Sequence, residues 1–216
     1  GDESGTKAEQ IEAAIGSSTA ALYYLAPGGG AGVLPLEDFI EIGKKHDIPV
    51  IVDAAAQNYP VENLKKYTGM GADLVCYGAK YFGAPNSTGI LCGRKDLVEA
   101  AALHGFIGFE SGEYRTFGRP MKLDRQEIIA VVVALQKWVT MDHRARFESY
   151  DKRVKELQKR LEDVSNIKVT PQGSPATSLR VEFDEAAIGK SAADIVDELR
   201  EGNPSIWVHS HANSVT

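Results

Sequence analysis

The sequence predicts an α/β fold: a parallel or mostly parallel, doubly wound sheet followed by a smaller C-terminal α+β domain. Up to about residue 120, short runs that are apolar along their whole length alternate with helical segments. This alternation is typical of a parallel sheet covered by helices on both faces. Beyond it, long helices lead into a strand, strand, helix, strand series. The predicted domains are residues 1–140 and residues 141–216.

Each predicted strand of the large domain is a short apolar run bounded by turn residues. These runs are residues 19–25, 49–53, 73–77 and 89–92. Helical spacing of the apolar residues predicts helices at residues 36–46, 61–67 and 96–103. A capping box from Thr6 to Glu9 predicts an earlier helix that ends at Gly16.

The second domain is predicted from a different order of elements. Helices are predicted at residues 125–141 and 148–164, and strands at residues 167–170, 178–183 and 205–209. Ser191 is predicted to cap a helix that runs to Arg200. The chain begins inside an α/β layer and stops on a strand. The large domain is therefore expected to be incomplete at its N-terminus.

Composition and charge argue against several classes of function. Of the 216 residues, 43% are hydrophobic and 25% are charged, as in an ordinary globular protein. The net charge of −6 argues against nucleic acid or an anionic membrane as a partner. The longest apolar run, residues 128–135, is too short to span a bilayer. The acidic, polar start shows no signal peptide. Two cysteines in apolar runs favour a reducing, cytoplasmic setting, which is therefore expected.

The cysteines and histidines predict neither a disulfide nor a metal site. Cys76 and Cys92 lie in apolar, strand-like runs, and we interpret them as small buried side chains. His209 and His211 would share one face of a strand. Two histidines without a third ligand are a weak metal signal, so we interpret them as surface residues and expect no metal.

Two polar residues at predicted strand ends carry the chemical signal. Asp53 closes one apolar strand, and Lys80 lies three positions after the last residue of the following strand, residues 73–77. Ligands of open parallel sheets bind beyond the carboxyl ends of the strands, so both residues should face one crevice. Pyridoxal 5′-phosphate (PLP) chemistry uses such a pair: a lysine forms a Schiff base, and an aspartate keeps the pyridine nitrogen protonated. The small Ala54 and Ala55 would let the ring pack flat against the strand end.

Both residues have simpler interpretations when each is taken alone. An aspartate at a strand end often caps a helix or forms a turn. A single lysine after a strand is commonly solvated. From these residues alone, a PLP site and an α/β domain without a cofactor therefore both remain open.

Several ordered blocks of sequence extend the pattern. They are VIVDAAAQ at 50–57, GADLV at 71–75, GAKYFGAP at 78–85, TGILCG at 88–93 and FGRPMK at 117–122. With these blocks, residues 19–139 resemble the large domain of fold-type I PLP-dependent enzymes. The resemblance is greatest to the selenocysteine synthase-like branch, which includes L-seryl-tRNA(Sec) selenium transferase and D-glucosaminate-6-phosphate ammonia-lyase-like proteins.

The resemblance implies roles for residues at the strand ends. Lys80 corresponds to the Schiff-base lysine and Asp53 to the partner of the pyridinium nitrogen. Ala55 corresponds to the small residue that lies against the ring. Gln57 could reach the substrate or the cofactor, and an ordinary loop residue that bonds to backbone is an equal alternative.

Other residues are candidates for binding an anion. Arg119 and Lys122, and with less support Arg115, could meet a cofactor phosphate or a substrate phosphate or carboxylate, or could form a solvated basic turn. Relatives often carry serine three positions before the lysine, where this chain has Tyr77. Tyr77 could donate to a phosphate oxygen or pack in the core. The turn that normally binds the cofactor phosphate lies upstream of the matched segment and is expected to be absent.

The resemblance also implies a class of reaction. Lys80 would remove the Cα proton of an amino acid or amino sugar acid, and loss of a β-substituent or of ammonia makes a lyase the first hypothesis. A transferase of the selenium transferase type is the alternative, and an incomplete, non-catalytic PLP-fold protein is another. Sites of this fold are usually completed by a second subunit, so a homodimer or larger homo-oligomer is expected.

Overall fold

The computed structural model describes residues 5–28, 32–111 and 117–216 of the chain. The chain divides into two compact units, Gly1–Thr140 and Met141–Thr216. Each unit contains its own four-stranded sheet. No helix in the described ranges is both long enough and apolar enough to cross a membrane.

The sheet of the first unit is mostly parallel, as predicted. Its strands are β1 (Leu22–Leu25), β2 (Val50–Asp53), β3 (Leu74–Gly78) and β4 (Gly89–Gly93), in that spatial order. The first three strands run parallel to one another, whereas β4 runs antiparallel to β3. The reversal follows from the short β3–β4 connection, because a parallel crossover needs about a dozen residues or more.

Six α-helices and one 3₁₀ turn accompany this sheet in the described part of the first unit. They are α1 (Ala8–Ala14), α2 (Leu36–Lys45), α3 (Asn63–Met70), the 3₁₀ turn (Ala79–Phe82), α4 (Lys95–Leu103), α5 (Phe106–Ser111) and α6 (Arg125–Thr140). The 3₁₀ turn and α5 were not predicted from the sequence. The predicted cap of α1 is displaced by one residue, because the Gln10 side chain accepts the backbone N–H of Lys7 at 2.9 Å.

The two faces of this sheet differ in burial. Alternate residues of β1, β2 and β3 form a core with α2 and α3, and these residues are at most 7% exposed: Leu22, Tyr24, Val50, Val52, Val75 and Tyr77. On the opposite face, Tyr23 and Leu25 of β1 are 61% and 67% exposed. The predicted cover of both faces is therefore wrong at β1 for the described residues. The reason is that α1 lies beside α2, where Glu12 pairs with Lys45 at 2.7 Å.

The second unit has the predicted α+β character. Its elements are α7 (His143–Leu161), β5 (Ile167–Gly173), β6 (Ala176–Phe183), α8 (Glu185–Ile188), α9 (Ala192–Glu201), β7 (Ser210–His211) and β8 (Ser214–Val215), with strand order β5-β6-β8-β7. Ser191 caps α9 as predicted and accepts the N–H of Asp194 at 3.1 Å. The predicted strand at residues 205–209 is wrong. The Ile206 N–H instead donates to the Leu199 carbonyl at 2.8 Å and closes the end of α9.

The core contact of α2 provides a test of the fold. Ile40 is 2% exposed within the main hydrophobic cluster. We expect Ile40→Val to lower the free energy of unfolding by about 0.5–1.5 kcal/mol and Ile40→Ala by about 2–5 kcal/mol, because the larger truncation leaves a larger cavity. Ile129→Ala in α6 is the control, since Ile129 is 62% exposed. Urea unfolding measures these changes, and an equal loss at both positions would contradict the assigned core.

Candidate active site

The ends of β2 and β3 are tied together by the backbone beyond the strands themselves. Asp53, the last residue of β2, lies opposite Cys76 of β3 in the parallel register. The Ala54 N–H donates to the Cys76 carbonyl, and the Gly78 N–H donates to the Ala55 carbonyl, each at 3.0 Å. Ala55 therefore lies against Gly78, two residues before Lys80. The structure brings Asp53, Ala55 and the segment that carries Lys80 to one edge of the sheet.

The Asp53 carboxylate accepts one hydrogen bond at each oxygen. The Tyr23 hydroxyl donates to Oδ2 at 2.6 Å, and the Ala55 N–H donates to Oδ1 at 3.0 Å. The side chain is half-buried. Within the described ranges no lysine, arginine or histidine forms an ion pair with it. Asp53 is thus a positioned acceptor whose charge is not neutralised by a neighbouring cation.

Lys80 lies on the 3₁₀ turn that follows β3. The turn is anchored by Ala79, which is fully buried, and by Phe82, which is 5% exposed. Lys80 itself is exposed, and its Nζ lies 5.1 Å from the centroid of the Tyr81 ring. The turn ends at Gly83, whose φ of 93° favours glycine. A turn anchored by two buried residues therefore presents a solvent-accessible amine at the sheet edge.

A buried network links this edge to α6. Asn58 is 2% exposed, and its Nδ2 donates to the Gly78 carbonyl at 3.1 Å. The Trp138 indole N–H in turn donates to the Asn58 carbonyl at 2.8 Å. The Asn58 Oδ1 is also buried and finds no donor among the described residues. This pair could not be predicted from the sequence, because an asparagine in a polar loop and a helical tryptophan eighty positions away share no local pattern.

Tyr77 does not lie with these groups. It is 2% exposed, and its hydroxyl donates to the Asn63 carbonyl at 2.7 Å. Burial raises the pKa of Tyr77 above its ordinary value. The expected phosphate contact from Tyr77 is not supported, because strand alternation directs this side chain into the core, away from the face that carries Asp53.

The remaining predicted residues lie in different surroundings. Gln57 is half-buried, and its backbone N–H donates to the Ala54 carbonyl at 2.8 Å, which closes a turn after β2. Arg119 and Lys122 are exposed and pack over aromatic rings of α5, with Arg119 5.1 Å from the Phe109 centroid and Lys122 4.6 Å from the Phe106 centroid. Arg115 lies outside the described residues. The proposed anion-binding roles of these cations remain predictions.

The two cysteines are protonated neighbours of the site. Burial raises the pKa of Cys76, and the nearby Asp53 charge raises it further. Burial also raises the pKa of Cys92. The thiolate is the nucleophilic form of cysteine, so neither side chain is poised for nucleophilic chemistry near neutral pH.

The residues at this edge fit PLP by the chemistry of their donor set. A protonated pyridine nitrogen needs a carboxylate with spare acceptor capacity, and each Asp53 oxygen still has a free lone pair. The cofactor aldehyde needs an accessible amine, which Lys80 supplies. The small Ala55 and Gly78 leave no bulk at the strand ends, and a Cβ added to Gly78 would come within 3.3 Å of the Ala55 carbonyl and 3.0 Å of the Tyr81 ring.

The buried network can be tested by removing its indole donor. We expect Trp138→Phe to lower the free energy of unfolding by about 1–3 kcal/mol, because the buried Asn58 carbonyl would lose its donor. Trp207→Phe is the control, since Trp207 is 77% exposed. Equilibrium unfolding in urea measures both variants. Equal stability of the two variants would show that the network does not hold the sheet edge.

Two curated proteins resemble the chain over nearly its whole length. A 5′-C-glycyluridine monooxygenase-decarboxylase from Streptomyces sp is 34% identical over 212 residues, covering 94% of this chain and 49% of that protein. D-glucosaminate-6-phosphate ammonia lyase from Salmonella typhimurium (strain 14028s / SGSC 2262) is 27% identical over 209 residues, covering 94% of this chain and 52% of that protein. The chain thus spans about half the length of the curated relatives it matches.

Solved structures share the fold. A structure of D-glucosaminate-6-phosphate ammonia-lyase superposes with a TM-score of 0.75 at 24% identity, covering 100% of this chain and 56% of that one. The pyridoxal-5′-phosphate-dependent protein YhfS from Escherichia coli superposes with a TM-score of 0.51 at 14% identity, covering 84% of this chain and 45% of that one. Both likenesses concern the fold alone.

The family model for aminotransferase class-V matches residues 2–206. Enzymes of this family depend on PLP. The match covers the sheet, the Asp53 and Lys80 edge and most of the second unit, and it confirms the resemblance to PLP-dependent enzymes. The chain belongs to the aminotransferase class-V family of PLP-dependent enzymes.

Proposed function

We propose that the protein containing this chain is a PLP-dependent lyase that acts on an amino acid or amino sugar acid by β-elimination. The observation that carries the proposal is the half-buried Asp53 carboxylate, without a cation partner in the described ranges, at the same sheet edge as the Lys80 turn. When bound, PLP supplies an electron sink for charge that develops at the substrate Cα.

Each residue of this edge has a defined task in the proposal. The Lys80 amine would hold the cofactor, and the free amine would remove the proton from the substrate Cα. The Asp53 carboxylate holds the proton on the pyridine nitrogen, where a fixed negative charge favours the protonated form. Ala55 and Gly78 keep the strand ends free of bulk beside the ring. Proton transfer by Lys80 at Cα is the step that commits the substrate to elimination.

The substrate class is supported by the two curated relatives. Their names describe substrates in which an amino acid group is borne on a sugar-derived skeleton. Such substrates carry phosphate, carboxylate or hydroxyl groups that need polar partners. Arg119 and Lys122 supply positive charge for an anionic group, and their packing on Phe109 and Phe106 limits the freedom of both side chains.

Trapping of the cofactor on lysine tests the proposal. The full-length protein is incubated with PLP and reduced with borohydride, and the modified peptide is identified by mass spectrometry. We expect the label on Lys80, its loss in Lys80→Ala, and a fall in turnover of about 10²–10⁴-fold or more, because the variant lacks the base at Cα.

Lys66→Ala is the matched control for this experiment. Like Lys80, Lys66 lies over the ring of the next residue, with Nζ 5.5 Å from the Tyr67 centroid. Labelling and turnover should therefore survive in Lys66→Ala. A label on another lysine, or unchanged turnover in Lys80→Ala, would contradict the proposal. A labelled Lys80 without turnover of any amino acid would instead indicate a non-catalytic PLP-fold protein.

A second candidate is oxidative decarboxylation, favoured by the 34% identity to the monooxygenase-decarboxylase. The reactions differ in their products, which gives a direct test on D-glucosaminate 6-phosphate and on glycyl nucleosides. A lyase should release ammonia without consuming O₂. A monooxygenase-decarboxylase should consume O₂ and release CO₂, and a transferase should require an added nucleophile. Ammonia release in the absence of O₂ is the expected result.

A further inference from the structure

The carboxylate of Asp53 has one side-chain partner in the described part of the chain, the hydroxyl of Tyr23. In the parallel register Tyr23 lies opposite Ile51, and Leu25 lies opposite Asp53. Tyr23 and Asp53 occupy the same sheet face, because strand alternation exposes Tyr23 and Leu25 and half-buries Ile51 and Asp53. The long phenol reaches forward along β1 and places its hydroxyl 2.6 Å from Oδ2.

The two hydrogen bonds of this carboxylate differ in origin. The bond from the Ala55 N–H spans two residues and is local to the turn that follows Asp53, as in an Asx turn. The bond from Tyr23 joins two strands and therefore sets the direction of the carboxylate plane relative to the sheet. Removal of the Tyr23 hydroxyl would leave Asp53 held only by its own turn.

The chemical nature of the donor matters as much as its position. A phenol donates a hydrogen bond without carrying a positive charge, so it orients the Asp53 carboxylate and leaves its negative charge available. An arginine or lysine in place of Tyr23 would neutralise the Asp53 charge. It would then compete with the protonated ring nitrogen of the cofactor for the carboxylate. The bond to Asp53 raises the pKa of Tyr23, so the phenol stays protonated and remains a donor as the pH rises.

We propose that Tyr23 is a positioning residue that holds the Asp53 carboxylate in line for the protonated ring nitrogen of the cofactor. The inference rests on the proposed function of Asp53. Tyr23 does not touch the reacting atoms: it acts through Asp53. Loss of the Tyr23 hydroxyl should therefore alter how strongly the cofactor is bound and how its nitrogen is protonated, while the fold is retained.

The adjacent tyrosine offers a matched control. Tyr24 follows Tyr23 on β1 but lies on the buried face, where its hydroxyl donates to the Leu34 carbonyl at 3.1 Å. Tyr23→Phe and Tyr24→Phe each remove one hydroxyl from the same strand. Only Tyr23→Phe changes the surroundings of Asp53.

The test uses the full-length protein with PLP labelled with ¹⁵N at the ring nitrogen. In Tyr23→Phe we expect the PLP dissociation constant to rise about tenfold, the size of one hydrogen bond to a charged group. We expect the ¹⁵N resonance to move toward that of unprotonated pyridine, because a carboxylate that is no longer aligned with the ring nitrogen stabilises its protonated form less. Tyr24→Phe should match the wild type in both measurements, even if its stability falls.

A titration of the cofactor-free protein gives an independent readout. The pKa of Tyr23 should fall toward its ordinary value in Asp53→Asn, measured by NMR of the labelled phenol. An unchanged Tyr23 pKa, or wild-type ¹⁵N shift and affinity in Tyr23→Phe, would overturn the assignment of Tyr23 while the function proposed for Lys80 and Asp53 stands. Wild-type protein that fails to bind PLP on Lys80 would overturn both, and the trapping experiment identifies that outcome.

Discussion

The candidate site depends on a short stretch of backbone pairing beyond the formal ends of β2 and β3. Hydrogen bonds from Ala54 to Cys76 and from Gly78 to Ala55 hold the two exit segments side by side after the strands have ended. Without this pairing, the segments that follow Asp53 and precede Lys80 would sample many separations. With it, both groups leave the sheet from a common rigid edge. Rigid elements hold catalytic groups more accurately than free loops do.

The edge is held from the core side as well. Asn58 binds the carbonyl of Gly78 and is itself bound by Trp138 of α6. The 3₁₀ turn then buries Ala79 and Phe82 against the same helix while Lys80 stays exposed. Because Ala79 before Lys80 and Phe82 after it are both buried, the backbone that carries the exposed Lys80 amine is held in place. Helix α6 thus holds this edge through Trp138 and its packing against Ala79 and Phe82.

The electrostatic design of the edge is asymmetric. Asp53 has two neutral donors and no ion-pair partner in the described ranges, and burial keeps the neighbouring Cys76 thiol protonated. The Asp53 carboxylate is therefore oriented by its donors without being neutralised by them, which suits a site that receives a protonated aromatic nitrogen. The sheet face that carries Tyr23 is also the open one at β1. The acid and its phenolic partner thus lie where a bound ring could reach them.

Much of the first unit could be predicted from sequence because its signals are local. Apolar runs and helical spacing predicted β2 and α2, and strand-end chemistry with the ordered blocks pointed to Asp53 and Lys80. The direction of β4 was not predicted, because it depends on the length of a connection and not on the composition of the strand. The strand predicted at residues 205–209 was wrong, because Ile206 pairs with the end of α9, a contact that apolar patterning does not register.

The sequence by itself determined the class of fold, the family and the two residues on which the proposed chemistry rests, since each depends on residue type and order along the chain. Only the tertiary structure decided which side chains surround them. It directed Tyr77 into the core, brought Asn58 and Trp138 to the end of β3, and placed Tyr23 on Asp53. These contacts join residues from fourteen to eighty positions apart. Strand register and the alternation of faces decide the places of Tyr77 and Tyr23, and the packing of α6 decides that of Trp138.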